Sequence, residues 1–359
     1  MTAHHETVPS PLPYLDDGDV KLYHGDVIDV LSKLPEQSSQ TCVTSPPYWG
    51  LRDYGADGQI GLEESPDAFV AKMVDVFRGV RRVLRDDGTL WLNLGDSYAG
   101  SWGNQGRKDE RGGQRAVNGP MLQRLATGAT HAIDCDMGDD CTCGAQTDVY
   151  PQRTHTGSWV NDHPTIKPKD LVGIPWRVAF ALQADGWWLR SAIVWAKPNP
   201  MPESVTDRPT SSYEQVFLFA KSARYFYDAD AIREEQADGP MRWGGNEKYA
   251  DPALKARALA NAERNPGGRN ARNVWTIPTQ PFPDAHFATF PEELPRRCIL
   301  AGSRERDVVL DPFIGSGTTA KVARDHGRHA IGIDLNADYL AIAAKRLRQL
   351  SLLADGGAS

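Results

Sequence analysis

Asp311-Pro312-Phe313-Ile314-Gly315-Ser316-Gly317-Thr318-Thr319 joins a short apolar run, Val308 to Leu310, to a helical pattern over Thr318 to His326. Strand, glycine-bearing turn and helix in that order mark the place where an α/β sheet opens its ligand crevice, at the carboxyl ends of its strands. Two glycines let a ligand approach the backbone closely, and the first turn of the following helix offers free amides suited to an anionic group. A second apolar strand, Ala330 to Ile333, ends at Asp334, 23 residues after Asp311. From that position an acidic side chain reaches ribose hydroxyls in nucleotide-binding folds. Neither Gly-Lys-Ser nor Gly-Lys-Thr occurs, so no lysine is placed to hold a β- or γ-phosphate, and ATP hydrolysis is not expected.

Working outward, the same alternation recurs. Val20 to Tyr23 and Thr41 to Thr44 read as strands, and between them Val27, Val30, Leu31 and Leu34 form one helical stripe. Ser65-Pro66 opens a helix as N-cap and first-turn proline. Its apolar positions Phe69, Val70, Met73, Val74, Phe77, Val80 and Leu84 repeat until Asp86-Asp87-Gly88, after which Thr89 to Leu94 reads as a buried strand. From Tyr98 to about His163 the periodicity dissolves, as in a long insertion or mobile loop. Leu171 to Ala184 reads as a helix. Leu189 to Trp195 and Gln215 to Ala220 read as strands on either side of a proline-rich turn near Lys197 to Pro202. Ala229 to Asn273 is polar and helix-prone, and Ala337 to Leu350 closes the chain as an amphipathic helix. The expectation is a parallel, doubly wound α/β sheet without internal repeats.

Ser45-Pro46-Pro47-Tyr48-Trp49 follows the Thr41 to Thr44 strand, again at the functional edge of a sheet. Consecutive prolines lack N–H donors and hold the chain extended, so their carbonyls can serve as fixed acceptors in a pocket. Tyr48 offers a stacking face. An amino group on an aromatic base is a poor nucleophile, because its lone pair is delocalised into the ring. Accepting its protons at Ser45 and at a proline carbonyl restores density to nitrogen, which can then attack a methyl sulfonium without a covalent enzyme intermediate.

The 359 residues, 40% hydrophobic and 24% charged, suffice for a large core in one or two domains. No stretch approaches 18 consecutive apolar residues and the N-terminus lacks a secretory pattern, so a cytoplasmic protein with no membrane partner is expected. Five cysteines are too few for a disulfide scaffold and suit a reducing compartment. The net charge of −7 argues mildly against nucleic acid, yet Gly103 to His131 carries five Arg or Lys against two acids, a local +3. Cys135, Cys141 and Cys143, near His131, form an irregular C-x5-C-x-C set that reads either as free thiols or as zinc ligands; no metal is expected.

Together these stretches resemble the amino-group DNA methyltransferases of the permuted beta type, in which the catalytic strip precedes the cofactor loop. The resemblance rests on Gly25-Asp26, Thr44 to Tyr48, Trp195 to Lys221, His286-Phe287-Ala288-Thr289-Phe290-Pro291 and Asp311 to Thr319. It implies a Rossmann-like, seven-stranded methyltransferase sheet, permuted, with an inserted target-recognition region. It implies S-adenosylmethionine as cofactor, double-stranded DNA as substrate with the target base flipped out, and a cognate restriction endonuclease as a candidate partner. The residue roles it implies are Ser45, Pro46, Pro47 and Tyr48 as the catalytic strip, with Tyr48 stacking on the base. Asp26, Phe287, Thr289, Asp311, Phe313, Gly315, Gly317 and Asp334 would hold the cofactor. Asp26 also reads as the N-cap of the helix from Val27, and Phe287 and Phe290 also read as core aromatics. In this family Ser-Pro-Pro is frequent for cytosine N4 and Asp-Pro-Pro-Tyr usual for adenine N6, so Ser45 favours cytosine.

The implied layout is a catalytic half over 15–97 and 164–228, an insertion over 98–163, a target-recognition region over 229–273 and a cofactor half over 274–350. Three rival readings fit less well. Protein-glutamine methyltransferases use a related Asn-Pro-Pro-Tyr strip but carry the cofactor loop first, and C5-cytosine methylation needs a Pro-Cys nucleophile that is absent here. A catalytically silent DNA-binding module would not need both an intact strip and an intact loop.

Overall fold

The computed structural model describes residues 11–50, 58–99, 165–234, 268–280 and 290–355. Strands β1 (Leu15–Asp16), β2 (Val20–His24), β3 (Ser39–Thr44), β4 (Leu84–Leu94), β5 (Trp188–Ala196), β6 (Tyr213–Ala220), β7 (Val274–Thr276), β8 (Val308–Asp311) and β9 (His329–Asp334) form one sheet. Its spatial order is β1-β2-β9-β8-β3-β4-β6-β5-β7. Seven strands have four or more residues, and the two shortest, β1 and β7, extend its edges. The neighbours from β2 to β4 are parallel, but β6 runs antiparallel to both β4 and β5, and β1 antiparallel to β2. The sheet expected to be parallel is therefore parallel from β2 to β4 and mixed beyond. Strands β5 and β6 follow one another with no helix between them, so they return as neighbours in opposite directions.

The helices are α1 (Val27–Lys33), α2 (Pro66–Val83), α3 (Ile174–Ala184), α4 (Glu293–Gly302), α5 (Thr318–Asp325) and α6 (Ala337–Asp355). Asp26 caps α1 through Oδ1, which accepts from the amides of Ile28 (2.8 Å) and Asp29 (3.1 Å). Ser65 Oγ caps α2 by accepting from Ala68 N, and Pro66 sits where a missing N–H costs nothing. Phe69, Met73, Val76, Phe77, Val80 and Val83 are the buried stripe of α2. That helix stops before Leu84, and the Asp86-Asp87-Gly88 turn lies inside β4 as a bulge, between the pairs Ser39–Leu84 and Thr41–Thr89.

Helix α3 starts later than its apolar pattern, at Ile174, because Gly173 takes a left-handed φ of 78° and Pro175 fixes the first turn. Its first amides find their acceptor at a distance: Asp96 Oδ1 takes Gly173 N (2.9 Å) and Ile174 N (3.0 Å). Helix α4 and strand β7 have no counterpart in the sequence reading. In α4, Pro295, Arg296 and Arg297 interrupt the apolar spacing of Leu294, Cys298, Ile299 and Ala301. Strand β7 is three residues long, below the length at which alternation can be recognised.

Helices α1, α2 and α3 pack in series, as do α4, α5 and α6. Beside the second set, Trp91, Trp195, Val216, Leu218 and Trp275 of the sheet share one core with Leu294, Ile299, Val322 and Leu340. The described residues of 97–172 belong to a separate unit, where Tyr98 bridges Leu171 and Val172 N donates to Ser97 O. The positions 100–164, including His131, Cys135, Cys141 and Cys143, lie outside the described residues, as do 235–267 of the expected recognition region. Among the described residues no helix is long and apolar enough to cross a membrane.

Candidate active site

The crossover from β8 through α5 runs to β9 on one side, while that from β3 through α2 runs to β4 on the other. Strands β3 and β8 are adjacent, so the chain directions diverge between them: a topological switch point, where open α/β sheets form ligand crevices. The Ser45 strip leaves β3 at that edge and the glycine loop leaves β8 beside it. Thr44 Oγ1 donates to Asp311 Oδ1 at 2.6 Å, tying the two segments together.

Asp311 is buried and its carboxylate is filled by the protein. Oδ1 also accepts from Phe313 N (3.0 Å), and Oδ2 accepts from Thr319 Oγ1 (2.6 Å). Burial pushes its pKa up from 3.8 to about 6 against these three bonds, with the nearby Asp334 adding to the rise. Asp334, at the end of β9, is also raised by burial. Its Oδ2 accepts from Gly315 N (2.9 Å) and its Oδ1 from Asn336 N (2.8 Å), so it shapes the glycine loop from below. Gly315 and Gly317 take φ of 50° and 82°, conformations that side chains adopt rarely. A Cβ on Gly317 would approach the Ala343 Cβ to 2.9 Å, so α6 needs a glycine there to pack. A Cβ on Gly315 would meet nothing within 4 Å, which leaves open space beside the loop. Ser316 Oγ is buried with no hydrogen-bond partner among the described residues.

These features fit S-adenosylmethionine. An orphaned hydroxyl and an open glycine cradle suit a close ligand, the amides opening α5 suit its carboxylate, and Asp311 and Asp334, though bonded within the protein, would set negative charge near its cationic groups. Of the other residues expected at the cofactor, Asp26 stands beyond β2 at the same edge with Oδ1 committed to its cap. Phe287 and Thr289 lie outside the described residues.

Trp49 anchors the far end of the catalytic strip: it is buried and its Nε1 donates to Glu63 O (3.0 Å), while Gly50 N donates to Gly61 O. The Tyr48 ring lies against Gly95, where any Cβ would come within 2.5 Å of it. Its hydroxyl donates to Glu214 Oε2 (2.6 Å) and accepts from Asn93 Nδ2 (2.9 Å). Asn93 Nδ2 also reaches Glu214 Oε2 (2.8 Å) and Ser45 Oγ (3.3 Å), and Ser45 Oγ lies 3.4 Å from the Tyr48 hydroxyl. Lys197 Nζ donates to Glu214 Oε1. Burial and the facing Glu214 carboxylate hold the Tyr48 phenol well above its ordinary pKa, so it acts as a neutral donor.

Asn93, Gly95, Lys197 and Glu214 were missed in the sequence. Gly95 and Lys197 did leave a signal, since both stand just past the ends of strands, β4 and β5. Both cysteines among the described residues, Cys42 and Cys298, are buried with thiols pushed above their ordinary pKa, which disfavours a thiolate nucleophile. Among the described residues no cluster of His, Cys, Asp and Glu is set to hold a metal.

A switch-point crevice with a glycine loop and a Ser-Pro-Pro-Tyr strip is a methyltransferase arrangement, and the family model described as DNA methylase matches residues 39–345. The chain belongs to this N6/N4 DNA methylase family, whose methyl donor is S-adenosylmethionine. It is similar to the Type II methyltransferase M.Cfr9I of Citrobacter freundii, with 44% identity over 91% of this chain and 87% of that protein. Among solved structures, the PvuII DNA methyltransferase (cytosine-N4-specific) shares the fold at a TM-score of 0.58 and 17% identity, covering 94% of this chain and 89% of that one. A Thermus thermophilus protein solved with S-adenosyl-L-methionine does so at a TM-score of 0.51 and 22% identity, over 91% and 93% of the two chains. The chain is thus a DNA methyltransferase of the N4/N6 class, related to the Type II modification enzymes.

Proposed function

We propose that this methyltransferase modifies the N4 amine of cytosine, in a base flipped out of double-stranded DNA. The observation that carries the reading is the oxygen cluster at Ser45 and Tyr48, beside the glycine loop at the switch point. Ser45 Oγ, with a proline carbonyl of Pro46 or Pro47, accepts the N–H protons of the exocyclic amine and restores its lone pair. S-adenosylmethionine held at the glycine loop would supply the methyl group: the amine nitrogen would bond to it as the carbon–sulfur bond breaks, and the nitrogen's surplus proton, held at Ser45 Oγ or the proline carbonyl, would pass to water. The Tyr48 ring stacks on the extruded base, whose unpairing costs a few kcal/mol. Cofactor contacts fall to Gly315, Gly317, Phe313 and the carboxylates of Asp311, Asp334 and Asp26, with Phe287 and Thr289 closing the pocket.

Serine at position 45 and the cytosine-N4 specificity of the PvuII enzyme both support cytosine. Residues 229–273 read the target sequence in this proposal, 98–163 close over the DNA, and a cognate endonuclease cuts the same site when it is unmodified. Expression in a methylation-free host followed by base-resolved modification sequencing tests it. N4-methylcytosine in a fixed context is expected; N6-methyladenine alone refutes the choice of base, and no methyl transfer to any DNA refutes the activity.

A further inference from the structure

We infer that Glu214 is a positioning residue, which sets the direction of the hydrogen-bond chain through Tyr48 and Asn93 so that Ser45 presents lone pairs, not a proton, to the target amine. The inference rests on the proposed role of Ser45.

A carboxylate can only accept hydrogen bonds. Glu214 Oε2 takes the Tyr48 proton at 2.6 Å and an Asn93 Nδ2 proton at 2.8 Å, while Oε1 takes a Lys197 proton. With its proton committed, the Tyr48 oxygen can only accept, and its neighbours are Asn93 Nδ2 (2.9 Å) and Ser45 Oγ (3.4 Å). The Ser45 hydroxyl therefore turns its proton inward, towards Tyr48. Its lone pairs then face outward, as an exocyclic N–H requires. Asn93 Nδ2 gives its two protons to the nearer Glu214 Oε2 and Tyr48 oxygen and packs 3.3 Å from Ser45 Oγ.

The placement is set by the strands. Glu214 is the second residue of β6, directly opposite Trp195 of β5, and Lys197 follows the end of β5. Asn93 pairs with Val216 on the other flank of β6, two residues from Glu214, so both reach Glu214 from the same face. Lys197 stacks 4.5 Å over the Trp195 ring, and Trp195 Nε1 is itself held by Ile277 O at 2.8 Å. A rigid scaffold thus stands behind the carboxylate.

Stability alone does not explain this pair. The side chains of Lys197 and Glu214 are 18% and 16% exposed, and so enclosed an ion pair returns about what its desolvation costs. What a fixed carboxylate adds is orientation of the donors around it.

The test uses the full chain, S-adenosylmethionine and plasmid DNA grown in a methylation-free host. Glu214→Gln keeps the shape but places an N–H where either Tyr48 or Lys197 needs an acceptor. Methyl transfer at saturating substrates is expected to fall roughly 10- to 100-fold. Dissociation constants for cofactor and DNA should stay within about twofold and the melting temperature within a few degrees. Glu214→Asp, which keeps a carboxylate, should retain more activity than Glu214→Gln. In a Ser45→Ala background, Glu214→Gln should add little further loss.

Unchanged transfer in Glu214→Gln overturns the inference, as does a loss confined to binding or folding, an equal loss in the Asp variant, or full additivity with Ser45→Ala. Full activity of Ser45→Ala alone removes the catalytic reading and this one with it, whereas an inactive Ser45→Ala beside a fully active Glu214→Gln removes only this one. If Glu214→Gln does not fold, the Lys197→Met/Glu214→Leu double variant, which leaves neither an acceptor for the Tyr48 proton nor an unpaired buried charge, carries the same test.

Discussion

Asp311→Asn should change how stability depends on pH while leaving the fold intact. The folded-state pKa of Asp311 is pushed up from 3.8 to about 6, chiefly by burial and against three hydrogen bonds. The folded protein therefore holds the Asp311 proton more tightly than the unfolded chain does. A raised carboxylate contributes stability that is complete below about pH 4 and is lost as pH rises through about 6. At about 1.4 kcal/mol per pH unit, the rise corresponds to about 3 kcal/mol. Asparagine carries no such cost, and the site can hold it. Its oxygen can accept from Phe313 N and Thr44 Oγ1, and its amide can donate to Thr319 Oγ1, whose own proton has Val43 O within 3.5 Å. Urea unfolding of both proteins without cofactor, followed by tryptophan fluorescence from pH 4 to 7.5, gives the two stability curves. The wild type should lose about 3 kcal/mol relative to Asp311→Asn across that window. Part of the difference passes through Asp334, whose repulsion of Asp311 the substitution relieves. A difference constant to within about 0.5 kcal/mol would show that Asp311 is not raised by burial and refute the reasoning.

Gly95→Ala would bring a methyl to within 2.5 Å of the Tyr48 ring. Displacing that ring should cut single-turnover transfer roughly tenfold or more, with a melting temperature lowered by only a few degrees. Gly302→Ala places a Cβ 2.7 Å from Thr41 Oγ1 and 2.8 Å from Trp91 Nε1, so chemical denaturation should show a loss of about 1–3 kcal/mol. Asp96→Ala leaves the amides of Gly173 and Ile174, at the start of α3, without their carboxylate, and the same measurement should register about 1 kcal/mol. Ser316→Ala removes the unpartnered hydroxyl of the glycine loop: calorimetry should find cofactor binding weakened roughly fivefold, while apo stability holds or rises slightly.

The parts of this fold legible in the sequence were those where local chemistry and tertiary role agree. Asp26 and Ser65 cap helices where a capping residue stands before an apolar stripe, β8 and β9 are short apolar runs between turn residues, and β3 carries the β-branched Thr41, Val43 and Thr44. What escaped were features set at a distance. The mixed direction of the sheet follows from β5 and β6 pairing back to back, which no residue pattern announces. The acceptor for the α3 amides is Asp96, 77 residues from Gly173. The Ser45 strip was visible as a motif, but its supporting shell was not.

That difference has a topological cause. Searching the carboxyl ends of parallel strands finds Ser45 after β3, Gly95 after β4, Lys197 after β5, Asp311 on β8 and Asp334 on β9, whatever their order along the chain. A permuted chain loses nothing by this, because Thr44 and Asp311 are 267 residues apart in sequence yet one hydrogen bond apart in space. The rule fails at β6 alone among the central strands, since an antiparallel strand presents its beginning, not its end, at the functional edge. Glu214 is the second residue of β6. The inserted antiparallel strand therefore supplies a carboxylate at the strip from a position where a parallel strand would have carried only its entry turn.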